Sequence, residues 1–158
     1  MARERSWAYR IATAFLAELK EIGHDETVWL TKPKAVVLGP SSLIAQAARP
    51  ALALDIGADG TREEMLSGVD QHAESVVLEI TVVSEDPADQ VGALQDLIAD
   101  VRRCVRQNEA LSVAGVGDVT LRDLGWVRAS VQGLQGTAGI GSAVVLARAF
   151  YESGEEDP

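Results

Sequence analysis

The chain has 158 residues, of which 47% are hydrophobic and 24% are charged, so it has the size and composition of one ordinary globular domain. This composition excludes a wholly disordered or collagen-like chain, and the single cysteine excludes a disulfide framework and an all-cysteine zinc site. The formal net charge is −10, no basic run is present and only 4% of residues are aromatic, which excludes tight non-specific binding to nucleic acid.

The N-terminal third is predicted to contain one helix and two short strands. Ile11, Phe15 and Leu19 recur at a spacing of four, which predicts an amphipathic helix over residues 6–22. Ser6 is a suitable N-cap for this helix and Gly23 a suitable stop. The elements that follow are a strand at 35–38, one or two helical turns within 41–48, an alternating strand at 51–56 and a long polar connection at 57–72.

The middle of the chain has the strongest patterns. Residues 75–84 alternate with an unbroken apolar face and are rich in β-branched residues, which predicts a half-buried strand. A long helix is predicted over 87–108, capped by Asp86 and with Pro87 in its first position. Its apolar stripe runs from Val91 to Val105, and its polar side begins acidic and ends basic, as the helix dipole favours.

The C-terminal part is predicted to consist of strands. Residues 113–121 indicate either a bent strand or a loop followed by a strand, 126–132 a weak strand and 142–151 a final one, with a glycine-rich break between the last two. Strands that neighbour one another in sequence, with few crossover helices, predict an α+β fold. We therefore expect a mostly antiparallel sheet with two amphipathic helices packed on one face, forming a single domain over 1–152 before a short acidic tail at 153–158.

No arrangement of residues predicts a catalytic, cofactor or metal site. His24 and His72 lie far apart in sequence, and neither has a second ligand at metal-binding spacing. Cys104 falls on the apolar stripe of the long helix, where a buried and inert thiol is expected. The glycine-rich segment 133–141 lies between two strands and has no following helix, so it is not a dinucleotide-binding loop.

Carboxylates are abundant, but most are expected on solvated surfaces. Asp96 and Asp100 lie four apart on the long helix and are predicted to share a polar face. Asp55 and Glu79 each lie inside a predicted strand, pointing either to the solvent side of a one-sided sheet or to a neighbouring subunit. Without a partly buried pocket to shift a carboxyl pKa, these groups do not indicate an enzyme.

The acidic excess is concentrated in one part of the chain. Residues 55–100 contain one basic and 12 acidic side chains, which gives a net charge of −11. Solubility alone would account for such acidity, whereas the functional interpretation is a surface that faces a negatively charged partner without binding it. No apolar segment follows the charged start and no run of 18 apolar residues occurs, so we expect a cytosolic chain with neither a signal peptide nor a membrane span.

The order of these elements resembles the tail terminator proteins (tail completion, or minor tail, proteins) of long-tailed, non-contractile bacteriophages and prophages. The resemblance covers most of the chain. It consists of the N-terminal amphipathic helix, the polar excursion 57–72, the strand at 76–83 running into a long helix that closes with residues 103–111, and the final strand at 143–151. It is a resemblance of arrangement and depends on no single signature residue.

The resemblance implies a structural virion protein without catalytic residues or cofactors, found in the tail or neck and, during assembly, in the host cytoplasm. Copies would form a hexameric ring that terminates the tail tube and docks to the head completion or connector protein, while DNA passes through the lumen without specific binding. The candidate lumen-facing residues are Asp59, Glu63, Glu64, Asp70 and Glu74, and the candidate assembly loop contains Gly133, Gly136, Gly139 and Gly141.

Other classes of protein stay open at this point. A different phage neck, connector or tail tube protein is the nearest rival. A small cytosolic adaptor domain is the next alternative, and an enzyme whose site the sequence hides is the third. A ring subunit should bury a large interface, an adaptor should show one surface patch, and an enzyme should show a deep pocket with convergent polar groups.

Overall fold

The structure is a computed structural model that describes residues 6–45, 48–57, 73–86, 88–128 and 140–152. Two helices and one six-stranded, mostly antiparallel sheet make up this part of the chain, so the predicted α+β class is confirmed. In chain order the elements are α1 (Trp7–Leu19), β1 (Ala35–Leu38), a short 3-10 turn (Ser41–Leu43), β2 (Ala51–Ile56), β3 (Ala73–Glu85), α2 (Gln90–Gln107), β4 (Ala110–Val113), β5 (Gly117–Arg128) and β6 (Ile140–Glu152).

The strands are arranged in the order β1-β2-β3-β6-β5-β4. The long strands β3 and β6 pair at the centre, from Ala73 opposite Glu152 to Glu85 opposite Ile140. Only the contact between β1 and β2 is parallel, and the four others are antiparallel. The two shortest strands, β1 and β4, occupy the edges, which limits the unpaired backbone that the sheet presents.

Both helices pack on the same face of the sheet, as predicted, and bury one continuous core. The helix-facing side chains of β3 include Leu78, Ile80 and Val82, none of which is exposed. Helix α2 lies over β3, β6 and β5. Helix α1 contacts β1 and β2, and at its other end Trp7 packs edge-on against Tyr151 with 5.7 Å between ring centroids. Among the described residues, neither helix is both long enough and apolar enough to cross a membrane.

The starts of the helices show how local capping sets their boundaries. Ser6 caps α1 as expected, with its hydroxyl accepting a hydrogen bond from the backbone N–H of Tyr9. The predicted cap of α2 is wrong, because α2 begins at Gln90 and Asp89 accepts from the N–H of Gly92 at 3.0 Å. Asp86 instead binds the N–H groups of residues 88 and 89 in the preceding turn. With this later start, Val91 lies in the first turn and is 68% exposed, so it does not belong to the apolar stripe.

The strands after α2 also differ from the prediction. Of the two interpretations of residues 113–121, the loop followed by a strand is the one found, because β4 ends at Val113 and β5 begins at Gly117. The two strands form a hairpin in which Leu111 of β4 lies opposite Val119 of β5. The predicted weak strand at 126–132 is the continuation of β5 as far as Arg128, and 129–132 lie outside the described residues. An irregularity between Asp123 and Gly125 interrupts the register, and Gly125 takes a φ of 91° there, a conformation that favours glycine.

Candidate functional site: the open face of the sheet

We call the face of the sheet opposite the helices the open face. In the described part of the chain no helix packs on it. Ile44, next to the 3-10 turn, covers only the corner over β2 and β3, where it packs against Ala51, Ala53 and Val83. The remainder of the open face belongs mainly to β3, β6 and β5.

Apolar side chains lie between charged ones at the centre of the open face. Val77 of β3 and Leu146 of β6 are half-buried, as is Phe150 farther along β6. Val127 of β5, which lies opposite Val144 of β6, is 54% exposed. Across the strands Val77 lies opposite Arg148 and Leu146 lies opposite Glu79, so apolar and charged side chains alternate at the centre of this face.

A pair of carboxylates lies on one side of the open face. Asp55 of β2 is directly opposite Glu79 of β3. Asp55 is exposed and Glu79 half-buried, which agrees with the expectation that both point to the side away from the core. A Cβ built on Gly57 would lie 3.4 Å from Oε1 of Glu79. The Glu79 carboxylate therefore extends toward the end of β2, the strand that contains Asp55. Two like charges directly opposite each other are unfavourable in an isolated sheet.

A pair of arginines lies on the other side. Arg122 of β5 is directly opposite Arg148 of β6. Arg122 is exposed and its Cζ lies 5.4 Å from the ring centroid of Phe150, a distance at which the cation is attracted to the aromatic face. Arg148 is half-buried. The open face is therefore divided into an acidic half on β2 and β3 and a basic half on β6 and β5.

Most of the site residues predicted from the sequence lie outside the described residues. This applies to Asp59, Glu63, Glu64 and Asp70 of the proposed lumen, to Gly133, Gly136 and Gly139 of the proposed loop, and to His72. Glu74 belongs to β3, where its backbone lies opposite Tyr151.

The position of Gly141 corrects the prediction. Gly141 lies inside β6, whereas the prediction placed it in the assembly loop. A Cβ at this position would come within 3.0 Å of the side chains of Ser84 and Leu94. The glycine therefore allows α2 to pack closely on the sheet. Its presence in a glycine-rich segment suggested a flexible connection, and only the strand register reveals its packing role.

The sequence prediction also missed the role of Asp100, which is 1% exposed although a solvated position was expected. Its carboxylate accepts hydrogen bonds from the backbone N–H of Leu30 at 3.0 and 3.1 Å, from the N–H of Thr31 at 2.7 Å and from the Thr31 hydroxyl at 2.6 Å. Asp100 thus fastens the segment after α1 to α2. The signal that could have shown this is its spacing of three from Leu97 and four from Cys104, at the border of the apolar stripe.

A second carboxylate joins α2 to the sheet. Asp123 of β5 lies 2.8 Å from Nε of Arg102 and 3.1 Å from Nη2 of Arg106. Burial by itself would raise the pKa of Asp123, but hydrogen bonds from Arg102 and the N–H of Gly125, together with the two positive charges, hold that pKa below its usual value. Asp123 is therefore ionised, and its contacts with the two arginines hold α2 against β5.

A cleft of about 280 Å³ lies beside the start of α2. Four carboxylates line it: Glu85, Asp86, Asp89 and Asp96. Behind Glu85, at 3.7 Å, lies the guanidinium of Arg49, whose side chain is 1% exposed and has no hydrogen-bond partner among the described residues. In the described ranges, no three His, Cys, Asp or Glu side chains are grouped so that they could hold a metal ion.

The remaining candidate side chains are those of Cys104 and His24. Cys104 is buried in the core, as expected, and burial together with the nearby charge of Glu18 raises its pKa to about 12. Such a thiol is protonated at neutral pH and is a poor nucleophile. His24 lies on the surface, with Nδ1 3.1 Å from an Oε of Glu21.

Known proteins include solved structures that are similar to this chain, but no matching family. No protein-family model matches the sequence, and no curated protein matches it either. Among solved structures 26 chains match. One of them superposes with a TM-score of 0.55 at 14% identity, and the match covers 94% of this chain and 97% of that chain. At this level of identity the similarity shows the fold alone.

Proposed function

We propose that the protein is a structural virion protein at the head–tail junction of a long-tailed, non-contractile bacteriophage. In this proposal, copies of the chain form a ring that terminates the tail tube and docks to the head connector. The observation that carries the proposal is the open face, where one layer of helices leaves half-buried apolar side chains together with charged ones on the other side of the sheet. Such a surface suits a subunit that another protein covers during assembly.

The order of elements supports the class of protein. The described chain has an N-terminal amphipathic helix, a central strand that leads into a long helix, and a long final strand. This is the arrangement on which the resemblance to tail terminators rests. The fold is shared with a solved chain, in a match that covers 94% of this chain and 97% of that chain.

The charge distribution supports a place beside DNA. Residues 55–100 carry a net charge of −11, and Asp59, Glu63, Glu64, Asp70 and Glu74 fall within them. A ring that turned these carboxylates toward its lumen would repel DNA phosphates and let the DNA pass without adhering. The acidic excess and the open face thus have separate uses, one toward the lumen and one toward protein.

The experiment is reconstitution with the tail tube protein of the same phage. The purified chain is measured by light scattering after gel filtration, alone and with tube protein, and the mixtures are examined by negative-stain electron microscopy. We expect a hexameric ring at the ends of tubes and an arrest of tube growth. Tubes that grow equally long with and without the chain, with no ring at their ends, would refute the proposal.

A matched pair of variants tests the lumen assignment in the same assay. Replacing Glu63 and Glu64 by lysine should leave ring formation intact and make the rings retain DNA, with a retention that falls as salt is raised. The control replaces Glu18 and Glu26, which lie in the part of the chain with little net charge, and should not change DNA retention. Equal retention by both variants would remove these carboxylates from the lumen.

A further inference from the structure

We infer that copies of this chain join head to tail, with the exposed end of β5 of one copy docked into the cleft beside α2 of the next. We call residues 122–128 the β5 edge, and the cleft is the one that Glu85, Asp86, Asp89 and Asp96 line. The inference rests on the proposed function and deepens it, because it names the contact between neighbours in the ring.

The β5 edge is unpaired and partly apolar. Strand β4 pairs only with residues 117–120 of β5, so residues 122–128 have β6 on one side and no described strand on the other. Within this segment Leu124 is 48% exposed and Val127 is 54% exposed. An unpaired strand edge with exposed apolar side chains is a surface on which another chain can dock.

The β5 edge also carries an excess of positive charge. Arg122 and Arg128 are both exposed, and Arg128 makes no hydrogen bond or ion pair in the described part of the chain. Asp123, the only acidic residue of the segment, is bound by Arg102 and Arg106 of α2. The charge of this edge is therefore complementary to an acidic partner.

The cleft has that acidic charge. Its described lining includes four carboxylates and no basic residue. Glu85 is paired with Arg49, and Asp89 caps α2. Asp96, in contrast, is exposed and has neither a hydrogen bond nor an ion pair within the described ranges, so its charge is available to a partner.

The shape of the cleft suits docked side chains. Its volume of about 280 Å³ lies below the roughly 300–1,000 Å³ of small-molecule pockets, which favours one or two side chains over a cofactor. One wall consists of Leu30 and Thr31, whose backbone N–H groups are bound by the carboxylate of Asp100. This wall is therefore fixed before a partner arrives, which lowers the entropy that docking costs.

A second copy of the chain is the occupant that these charges favour. The unpaired Arg128 matches the unpaired Asp96, and the exposed Leu124 and Val127 match the exposed Leu30 of the cleft wall. The cleft lies beside the ends of β2 and β3, whereas β5 lies beyond β6 in the sheet order. A contact between two different surfaces of the same chain is head to tail, and its repetition gives a ring when the rotation closes.

The test exchanges one charge on each surface. The cleft variant carries Asp96→Lys and the edge variant carries Arg128→Glu. Self-association is measured by sedimentation, and rings at the ends of tail tubes are counted by negative-stain electron microscopy. We expect each variant alone to lose affinity for itself at least about tenfold, since close charge pairs at interfaces have couplings of that order or larger. An equimolar mixture should associate again, because each kind of copy then offers the other an opposite charge.

The controls separate docking from folding and from net charge. Asp55→Lys and Asp118→Lys make the same change of charge at exposed positions on the open face and at the other end of β5, and both should leave association unchanged. Val127→Ser should weaken association without any change of charge. Urea unfolding at a concentration where the chain is monomeric establishes that each variant is folded.

The outcomes distinguish this contact from the proposed function. Rings and oligomers that neither variant weakens, or a mixture of folded variants that stays dissociated, would overturn the inference and leave the proposed function standing. A cleft variant that loses binding to tubes while the edge variant keeps it would assign the cleft to the tube protein and also overturn the inference. A wild type that is monomeric both alone and with tubes would refute both. Oligomers that obey the charge exchange but never arrest tube growth would contradict the proposed function and leave this contact in place.

Discussion

The contacts of Asp100 lead to a prediction about stability. Replacing Asp100 by alanine removes the acceptor for two backbone N–H groups and one hydroxyl of the segment after α1. Hydrogen bonds to a charged acceptor contribute about 1.5–3 kcal/mol each, and a buried donor left without a partner costs about 1–3 kcal/mol. Leu30 is 63% exposed, so water can replace part of what is lost there.

The expected loss follows from these terms. The two contacts of Thr31 and the one of Leu30, taken at the lower end of the range, amount to about 4–5 kcal/mol. Alanine is the better helix former by about 0.5 kcal/mol, which offsets a small part. We expect Asp100→Ala to lower the free energy of unfolding by about 4 kcal/mol, a large share of the roughly 5–15 kcal/mol that stabilises a typical domain.

The assay is urea unfolding followed by circular dichroism. Asp96→Asn is the matched control, since Asp96 lies one turn earlier on α2 and is exposed, and it should change stability by no more than about 0.5 kcal/mol. In a double-mutant cycle, Thr31→Val should couple to Asp100→Ala, because both remove the 2.6 Å contact. A loss below about 1 kcal/mol for Asp100→Ala, with the slope of the unfolding curve unchanged, would show that these contacts do not hold the segment in place.

Three further predictions concern other buried groups. The pKa of Asp123 is lowered in the folded protein, so its stabilising contribution is present above the unfolded pKa of about 3.9 and is lost as the pH falls through the lower folded pKa. Asp123→Asn should therefore destabilise the protein at pH 7, and by less as the pH falls below about 3.9, as urea unfolding over that range would show. Cys104, whose pKa burial raises to about 12, should be alkylated by iodoacetamide at pH 8 only as fast as the protein unfolds, because the thiol is buried and protonated in the folded chain. Rapid labelling of the native protein would contradict this. Glu85→Gln leaves the buried Arg49 without its countercharge and should lower the free energy of unfolding by about 1–3 kcal/mol. Arg49→Met should leave that free energy nearly unchanged in the same urea-unfolding assay. The opposite order of the two effects would refute the argument.

The patterns that the sequence predicts well are those that depend on near neighbours. The alternation in residues 75–84 and the spacing of Leu94, Leu97 and Val101 are local properties. Both β3 and α2 are found where these two patterns predict them. Element boundaries are less predictable, because Asp86 and Asp89 are equally good caps and only the path of the backbone decides between them.

The features of the site could not be predicted in the same way. Asp100 is bound by residues 69 and 70 positions away, so its partners are brought to it by the packing of the helices. The two like-charge pairs of the open face exist only once the register of β2 with β3 and of β5 with β6 is known. A shift of one residue would turn these side chains to the opposite face.

The central pairing of β3 with β6 also affects how the chain folds. The two strands join residues 73–85 to residues 140–152, so the middle of the sheet cannot form until β6 has been synthesised. Until then β2 and β3 on one side, and the hairpin of β4 and β5 on the other, each present an unpaired strand edge. Long-range pairing of this kind slows folding, because loop closure must precede the contacts that stabilise it. We therefore expect a ribosome-bound chain that lacks β6 to be prone to aggregation, and the addition of this one strand to complete folding in a single cooperative step.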